Sequence, residues 1–139
     1  MVDRVLVAMD ASEMGERTLQ YALEAHPEAA ITVLHVVGEP SSMWGKAAGL
    51  ALSEDIESEV DDLAEAVFET AHRIADEHGV EITTETELGH PVRAILERAD
   101  AYDVVAIGTH AGTVAERLFV GNIAEKVVRQ SPVPVTVVR

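Results

Sequence analysis

Three glycines in one connecting stretch, Gly108, Gly112 and Gly121 of "IGTHAGTVAERLFVGN" (Ile107 to Asn122), are the residues whose type and spacing bear most directly on chemistry. Glycine lets a backbone turn sharply, or lets a second molecule come within hydrogen-bonding distance of main-chain amides. The stretch holds a single acidic residue, Glu116, and leads through Gly121 straight into a helical pattern that opens at Asn122. A helix start presents unpaired N–H groups and a partial positive charge, and successive amides in a glycine turn form a nest for an anion. Phosphate binding is the chemistry this combination offers; the alternative is that the glycines only turn the chain. The spacing is neither GxxxxGK[ST] nor a GxGxxG after the first strand, so the common nucleotide fingerprints do not apply. His110, inside the stretch, could donate to a phosphate or simply be solvated.

Other chemistry finds less support. Of the six histidines, His72 and His78 stand six apart in a helical pattern, His26 precedes Pro27, and His35 lies inside an apolar run, so no pair has metal-ligand spacing. Ser12 lies close to Asp10, yet no second group is identifiable as a base, and Ser12 reads as a helix N-cap rather than a nucleophile. The absence of cysteine removes disulfides, thiolate metal sites and thiol nucleophiles together. No enzyme activity is assigned on these residues.

The elements that must position the glycines follow from periodicity. "RVLVAM" (Arg4 to Met9), "ITVLHVV" (Ile31 to Val37), "DVVAIG" (Asp103 to Gly108) and "VPVTVV" (Val133 to Val138) are short continuous apolar runs, the signature of strands buried on both faces. "VEITTETEL" (Val80 to Leu88) alternates instead, Ile82, Thr84, Thr86 and Leu88 against Thr and Glu, and predicts an edge strand half in water. Ile56, Val60, Leu63, Val67, Ala71 and Ile74 recur at helical spacing, with a run of acids from Glu54 to Glu65 as the solvated face. Val92, Ile95, Leu96 and Ala99 predict a second helix with Pro91 in its first turn. Weaker patterns give helices over Glu13 to Ala25 and Asn122 to Gln130, with Ser12 and Asn122 as N-caps. The segment Gly38 to Ser53, which includes Met43 and Trp44, has no steady period and is read as a loop. Strands alternating with helices make a single open parallel sheet with helices on both faces. Ligands in such sheets sit outside the carboxyl ends of the strands where the winding reverses. Three strand ends are candidates: "MDAS" (Met9 to Ser12), "HVVGE" (His35 to Glu39) and "IGTHAG" (Ile107 to Gly112).

Bulk composition bounds the rest. The 139 residues suit one domain, residues 1–139, with a single core. No apolar run reaches the ~20 residues a membrane span needs, and the expected location is the cytoplasm. There are 25 acids and 10 bases for a net charge of −15, which makes nucleic acid an unsuitable partner. Only Lys46 and Lys126 are lysines, and an acid-rich, lysine-poor surface suits a protein kept soluble at high salt, as in a halophilic archaeon. The charge is uneven: residues 1–103 hold 23 acids and 6 bases, residues 104–139 hold 2 acids and 4 bases, and the glycine stretch lies in the second part.

"RVLVAMDASEMGERTLQYAL" at the start, "LHVV" at Leu34 to Val37 and "DVVAIGTHAG…RLFVGNIAEKVVRQSPVPVTVV" at the end resemble the universal stress protein family over essentially the whole chain. The resemblance implies a five-stranded parallel α/β sheet in the order 3-2-1-4-5, Rossmann-like and of the adenine nucleotide alpha hydrolase kind. It also implies a homodimer paired through the last strand, Val133 to Val138, and in one branch of the family bound ATP with Mg2+ or Mn2+ accompanying the phosphates. That branch carries G-x2-G-x9-G-[ST]. Gly108 and Gly121 match its first and third glycines; the second falls on Ala111, with Gly112 one place late, and the Ser or Thr falls on Asn122. By resemblance Asp10 and Val36 lie near adenine and ribose. The amides around Gly108, Gly112, Gly121, Asn122 and Ile123 then face the phosphates, and Thr109 and His110 line the loop. The expectation is therefore a homodimeric adenine-nucleotide-binding stress protein, with at most slow ATP hydrolysis. The alternative is a dimeric interaction module of the same fold whose motif has degenerated at Ala111 and Asn122.

Overall fold

The computed structural model describes residues 1–37, 53–109 and 122–139; for residues 53–61, 63 and 122 the description is of the main chain only. Five strands and four helices are described: β1 (Arg4–Ala8), α1 (Glu13–Ala25), β2 (Ala30–Val37), α2 (Ser53–Glu77), β3 (Ile82–Leu88), α3 (Pro91–Ala99), β4 (Val104–Gly108), α4 (Asn122–Gln130) and β5 (Val135–Val138). The strands are all parallel, in the order β3-β2-β1-β4-β5. This is the order the resemblance implies.

The continuous apolar runs are explained by two cores. Val5 and Val7 of β1 turn to one face, where Leu19 and Leu23 of α1 and Val67, Ala71 and Ile74 of α2 close over them. Leu6, between them, turns to the other face and packs with Val92 and Ile95 of α3 and Ala124 and Val127 of α4. The central residues of β1, β2 and β4 are buried on both faces, so no alternation survives there. β5 departs from that expectation: it ends the sheet, its residues are only partly covered and Val137 is exposed, because no further strand lies beyond it. Winding proceeds outward from β1 to β3, then jumps back to β4 and on to β5. With crossovers of one hand, that reversal puts α1 and α2 on one face and α3 and α4 on the other.

β3 is an edge strand, as its alternation predicts, but the inward set differs from Ile82, Thr84, Thr86 and Leu88 at its carboxyl half. Thr86 is exposed and Leu88 is 64% exposed, whereas Glu85 and Glu87 on the opposite face are partly covered. The cause is Arg98 of α3, whose guanidinium donates to Glu85 at 3.0 Å and to Glu87 at 2.6 Å. A two-carboxylate clamp fixes α3 over that face of the strand, an arrangement that charge-assisted hydrogen bonds favour. The acids thus tie a helix to the sheet edge instead of facing water.

At the amino end of the sheet a second carboxylate joins β1 to β4. Asp103 Oδ2 accepts the amides of Asp3 and Arg4, both at 2.9 Å, while the Asp103 amide donates to the Arg4 carbonyl at 2.9 Å. Those main-chain donors, Asp3 first and then Arg4, hold the carboxyl below its ordinary value of 3.8. A carboxyl depressed in the folded state stabilises it above the unfolded pKa and ceases to do so as pH falls through the folded value. Asp103→Asn is therefore expected to be less stable than the wild type at neutral pH, with the gap closing as the pH drops below about 4. Thermal midpoints of both proteins across that range check this; a gap unchanged at low pH would show the carboxylate to be idle.

Candidate functional site

The winding reverses between β1 and β4, and the register puts the sequence's candidates level with one another there. Ala8 pairs with Leu34 and Val7 with Ala106, so Asp10 and Val36 each stand two residues beyond the first pair, and Gly108 two beyond the second. Asp10, Val36, Gly108 and Thr109 thus share the carboxyl rim of three adjacent strands. α4 opens at Asn122, and its first-turn amides, that of Ile123 among them, lack acceptors within the helix. The Ile123 side chain is 42% exposed. His110, Ala111, Gly112 and Gly121 lie outside the described residues, as do residues 38–52 with Met43 and Trp44, and the Asn122 side chain.

Asp10 is held in a short polar turn. Its Oδ1 accepts both the Ser12 amide, at 2.9 Å, and the Ser12 hydroxyl. That hydroxyl in turn accepts the Gly15 amide at 3.2 Å, which makes Ser12 the N-cap of α1, as its place before the helical pattern predicts. A hydroxyl engaged on both sides by its own turn is a capping group. Among the described residues Asp10 Oδ2 has no partner. A carboxylate oxygen is an acceptor with two lone pairs and suits sugar hydroxyls.

Gly108 and Thr109 carry structural duties that the sequence reading did not include. A β-carbon on Gly108 would stand 2.3 Å from Met14 Cγ and 3.2 Å from Thr18 Oγ1. Met14 is 4% exposed and Thr18 fully buried, with the Thr18 hydroxyl donating to the Met14 carbonyl at 2.6 Å. The glycine therefore admits α1 against β4. The Thr109 amide donates to the Val138 carbonyl at 2.8 Å, which extends the β4–β5 ladder by one bond. Val36 is half-buried and packs against the core beneath α3 and α4.

Four contributors lie beyond what the sequence assigns to the site. Met14 and Thr18 look like ordinary apolar and neutral positions of an amphipathic helix. Gly15 offered a usable signal, since a glycine inside a helical pattern points to a close approach. It lies against Asp10, whose main-chain oxygen would be 2.7 Å from a β-carbon there. His35, the first residue of the second candidate strand end and a histidine without metal-ligand spacing, places its Nδ1 3.1 Å from the Met9 carbonyl.

Two clefts among the described residues lie against β3. One of about 950 Å3 lies between α2 and β3, lined by Phe68, His72, Thr84 and Thr86, away from the strand ends. The other, about 670 Å3, is formed by Leu88, Gly89, His90 and Pro91 at the β3–α3 junction, next to Val37, whose carbonyl accepts the Gly89 amide at 2.9 Å. The second shares the carboxyl edge with Val36. Among the described residues no group of three His, Asp or Glu side chains is placed to hold a metal ion, and no helix is long and apolar enough to cross a membrane.

The chain is 28% identical to universal stress protein YxiE of Bacillus subtilis, with 100% of each chain covered. Its fold matches the solved structure of universal stress protein UspA from Lactobacillus plantarum with a TM-score of 0.80, at 25% identity over 99% of this chain and 98% of that one. Two further structures of the same fold were solved as complexes. One is a universal stress protein with cAMP (TM-score 0.69, 23% identity, 99% and 97% covered), the other an Archaeoglobus fulgidus protein with dAMP (TM-score 0.69, 21% identity, 100% and 98% covered). The family model described as "Universal stress protein family" matches residues 1–139. With every residue accounted for by that model and the strand order in agreement, the chain belongs to the universal stress protein family.

Proposed function

We propose that this universal stress protein binds an adenine nucleotide at the rim formed by Asp10, Val36, Gly108 and the start of α4. The observation that carries the reading is the Asp10 turn: a carboxylate fixed through Oδ1 by Ser12, with Oδ2 unpaired among the described residues, stands at the reversal of the sheet where sugar hydroxyls would meet it. The α4 amides stand ready for phosphate oxygens, and proteins of the same fold hold cAMP and dAMP. Both of those ligands carry a single phosphate. Ala111 and Asn122 stand where the ATP-binding branch has glycine and a hydroxyl residue, and the Thr109 amide is already engaged by Val138. These features favour a monophosphate over ATP. Were ATP bound, Mg2+ or Mn2+ would be carried by phosphate oxygens and water, since among the described residues no group of three carboxylates or histidines is placed to hold it.

The protein should be purified in molar KCl and denatured, and the supernatant chromatographed for nucleotide. AMP, cAMP and ATP are then titrated calorimetrically in the same salt. Released adenine nucleotide, or heat with AMP exceeding that with ATP, is the expected result. Folded protein that releases nothing and gives no heat would favour the second reading, a dimeric interaction module without a nucleotide. The substitutions at Ala111 and Asn122 are the specific observation behind that reading.

We also propose that β5 pairs antiparallel with its counterpart in a second copy. β5 ends the sheet order, and Val137 is 39% exposed on it. An uncovered apolar edge strand invites such pairing, and a two-fold axis makes it self-complementary. A cytoplasmic location accompanies this reading.

A further inference from the structure

Asp10 can serve a ligand only if the peptide that carries it is held still. The β1–β2 pairing closes at Ala8 and Leu34, and Met9 continues it by donating its amide to the Leu34 carbonyl at 2.9 Å. The carbonyl of Met9 belongs to the same rigid peptide plane as the amide of Asp10. His35 Nδ1 lies 3.1 Å from that carbonyl. A carbonyl oxygen only accepts, so Nδ1 carries the proton.

The ring making this bond has little freedom. His35 is 9% exposed, and Phe68 of α2 meets it edge to face, with centroids 6.4 Å apart and planes at 86°. Its neighbours Val33 and Leu34 are apolar, as a strand buried on both faces requires. A polar ring at such a position must lose its water, which is unfavourable unless the hydrogen bond replaces it. What the histidine adds over valine or leucine is a fixed donor aimed at the peptide before Asp10.

We infer that His35 is a positioning residue of the Asp10 site: through the Met9 carbonyl it sets the orientation of the peptide leading into Asp10, and with it the direction the carboxylate presents to a ligand. The inference rests on the nucleotide reading for its functional half. Its structural half stands apart from any ligand.

The experiment compares the wild type with His35→Leu, which has no donor, and His35→Asn, whose amide nitrogen replaces Nδ1 at similar reach. AMP affinity is measured by calorimetry, and amide hydrogen exchange is followed at Asp10, Ala11 and Ser12, all in molar KCl. For His35→Leu the expected result is about tenfold weaker AMP binding and about tenfold faster exchange at those three amides, with exchange in β4 unchanged. His35→Asn is expected to restore both to within about threefold. If leucine prevents folding, His35→Gln takes its place, since its amide sits one carbon too far out and should fail where asparagine succeeds. Unchanged exchange at Asp10 to Ser12 in folded His35→Leu, or in the His35→Gln that replaces it, overturns the proposal. So does an equal loss in the asparagine variant, which would mark His35 as packing only. A wild type that binds no AMP would end the nucleotide reading, while the exchange comparison would still decide whether His35 holds the turn.

Discussion

Gly15→Ala is expected to lower stability by about 1–3 kcal/mol, although the same change in an exposed helix interior raises it by up to about 1 kcal/mol. The reversal comes from what the new methyl group would meet. It would stand 2.7 Å from the main-chain oxygen of Asp10, 3.0 Å from Oδ1 and 3.1 Å from the main-chain nitrogen. A flexible side chain could swing away from such a contact, but a main-chain oxygen moves only with its peptide. The turn that contains it is held at Met9 by the β1–β2 ladder and at the Asp10 carboxylate by the Ser12 bonds. Relief must come by lifting the start of α1 from the turn. The variant should then lose the Ser12 cap together with packing at Met14, and AMP affinity should fall with them. Urea unfolding midpoints in molar KCl measure the first effect and calorimetry the second. An alanine variant as stable as the parent would mean that the turn and the helix are not in the contact described.

The second large effect concerns salt. With 25 acids, 10 bases and a net charge of −15 on 139 residues, the folded chain repels itself strongly at low ionic strength. For a globule of this size, Coulomb's law in water with Debye lengths of about 10 Å at 0.1 M and 3 Å at 1 M puts the relief of repulsion at roughly 5 kcal/mol. The unfolded chain lowers its own repulsion by expanding, so low salt favours it. A net stabilisation of a few kcal/mol corresponds to a rise in the thermal midpoint of about 10 °C or more for a chain of this length. We therefore propose adaptation to a high-salt interior, and expect the midpoint to climb steadily between about 0.1 and 2 M KCl. Nucleotide-free protein should be used, so that ligand linkage does not contribute. A midpoint indifferent to KCl would remove the halophilic reading and leave an ordinary acidic protein.

Much of the architecture was legible because local physics and fold agree along most of the chain. The runs at Val5 to Val7, Ile31 to Leu34 and Val104 to Ile107 are uninterrupted since both sheet faces are covered, and the Ser12 cap was legible from its place before a helical pattern. Strand order was not legible from periodicity, which records what faces a core but not which strand is the neighbour. The placement of β1 beside β4 rested on resemblance until the register showed it. The alternation in β3 failed after Thr84, because Arg98, from a helix that follows the strand, decides which face of the carboxyl half is covered. At the site, Asp10 was legible as a polar residue ending an apolar run. The contacts of Gly15 with Asp10, of Met14 with Gly108 and of His35 with Met9 join different elements, and no spacing within one segment encodes them.

The absence of a side chain at Gly108 is already required by Met14 and Thr18, whatever occupies the rim above it. Selection on folding alone would therefore preserve that residue in descendants that have given up every small molecule, and its survival would disclose nothing about the loss. Drift at this rim would show first as exchange of Asp10 for asparagine, which keeps an acceptor for Ser12 and gives up only the second carboxylate oxygen.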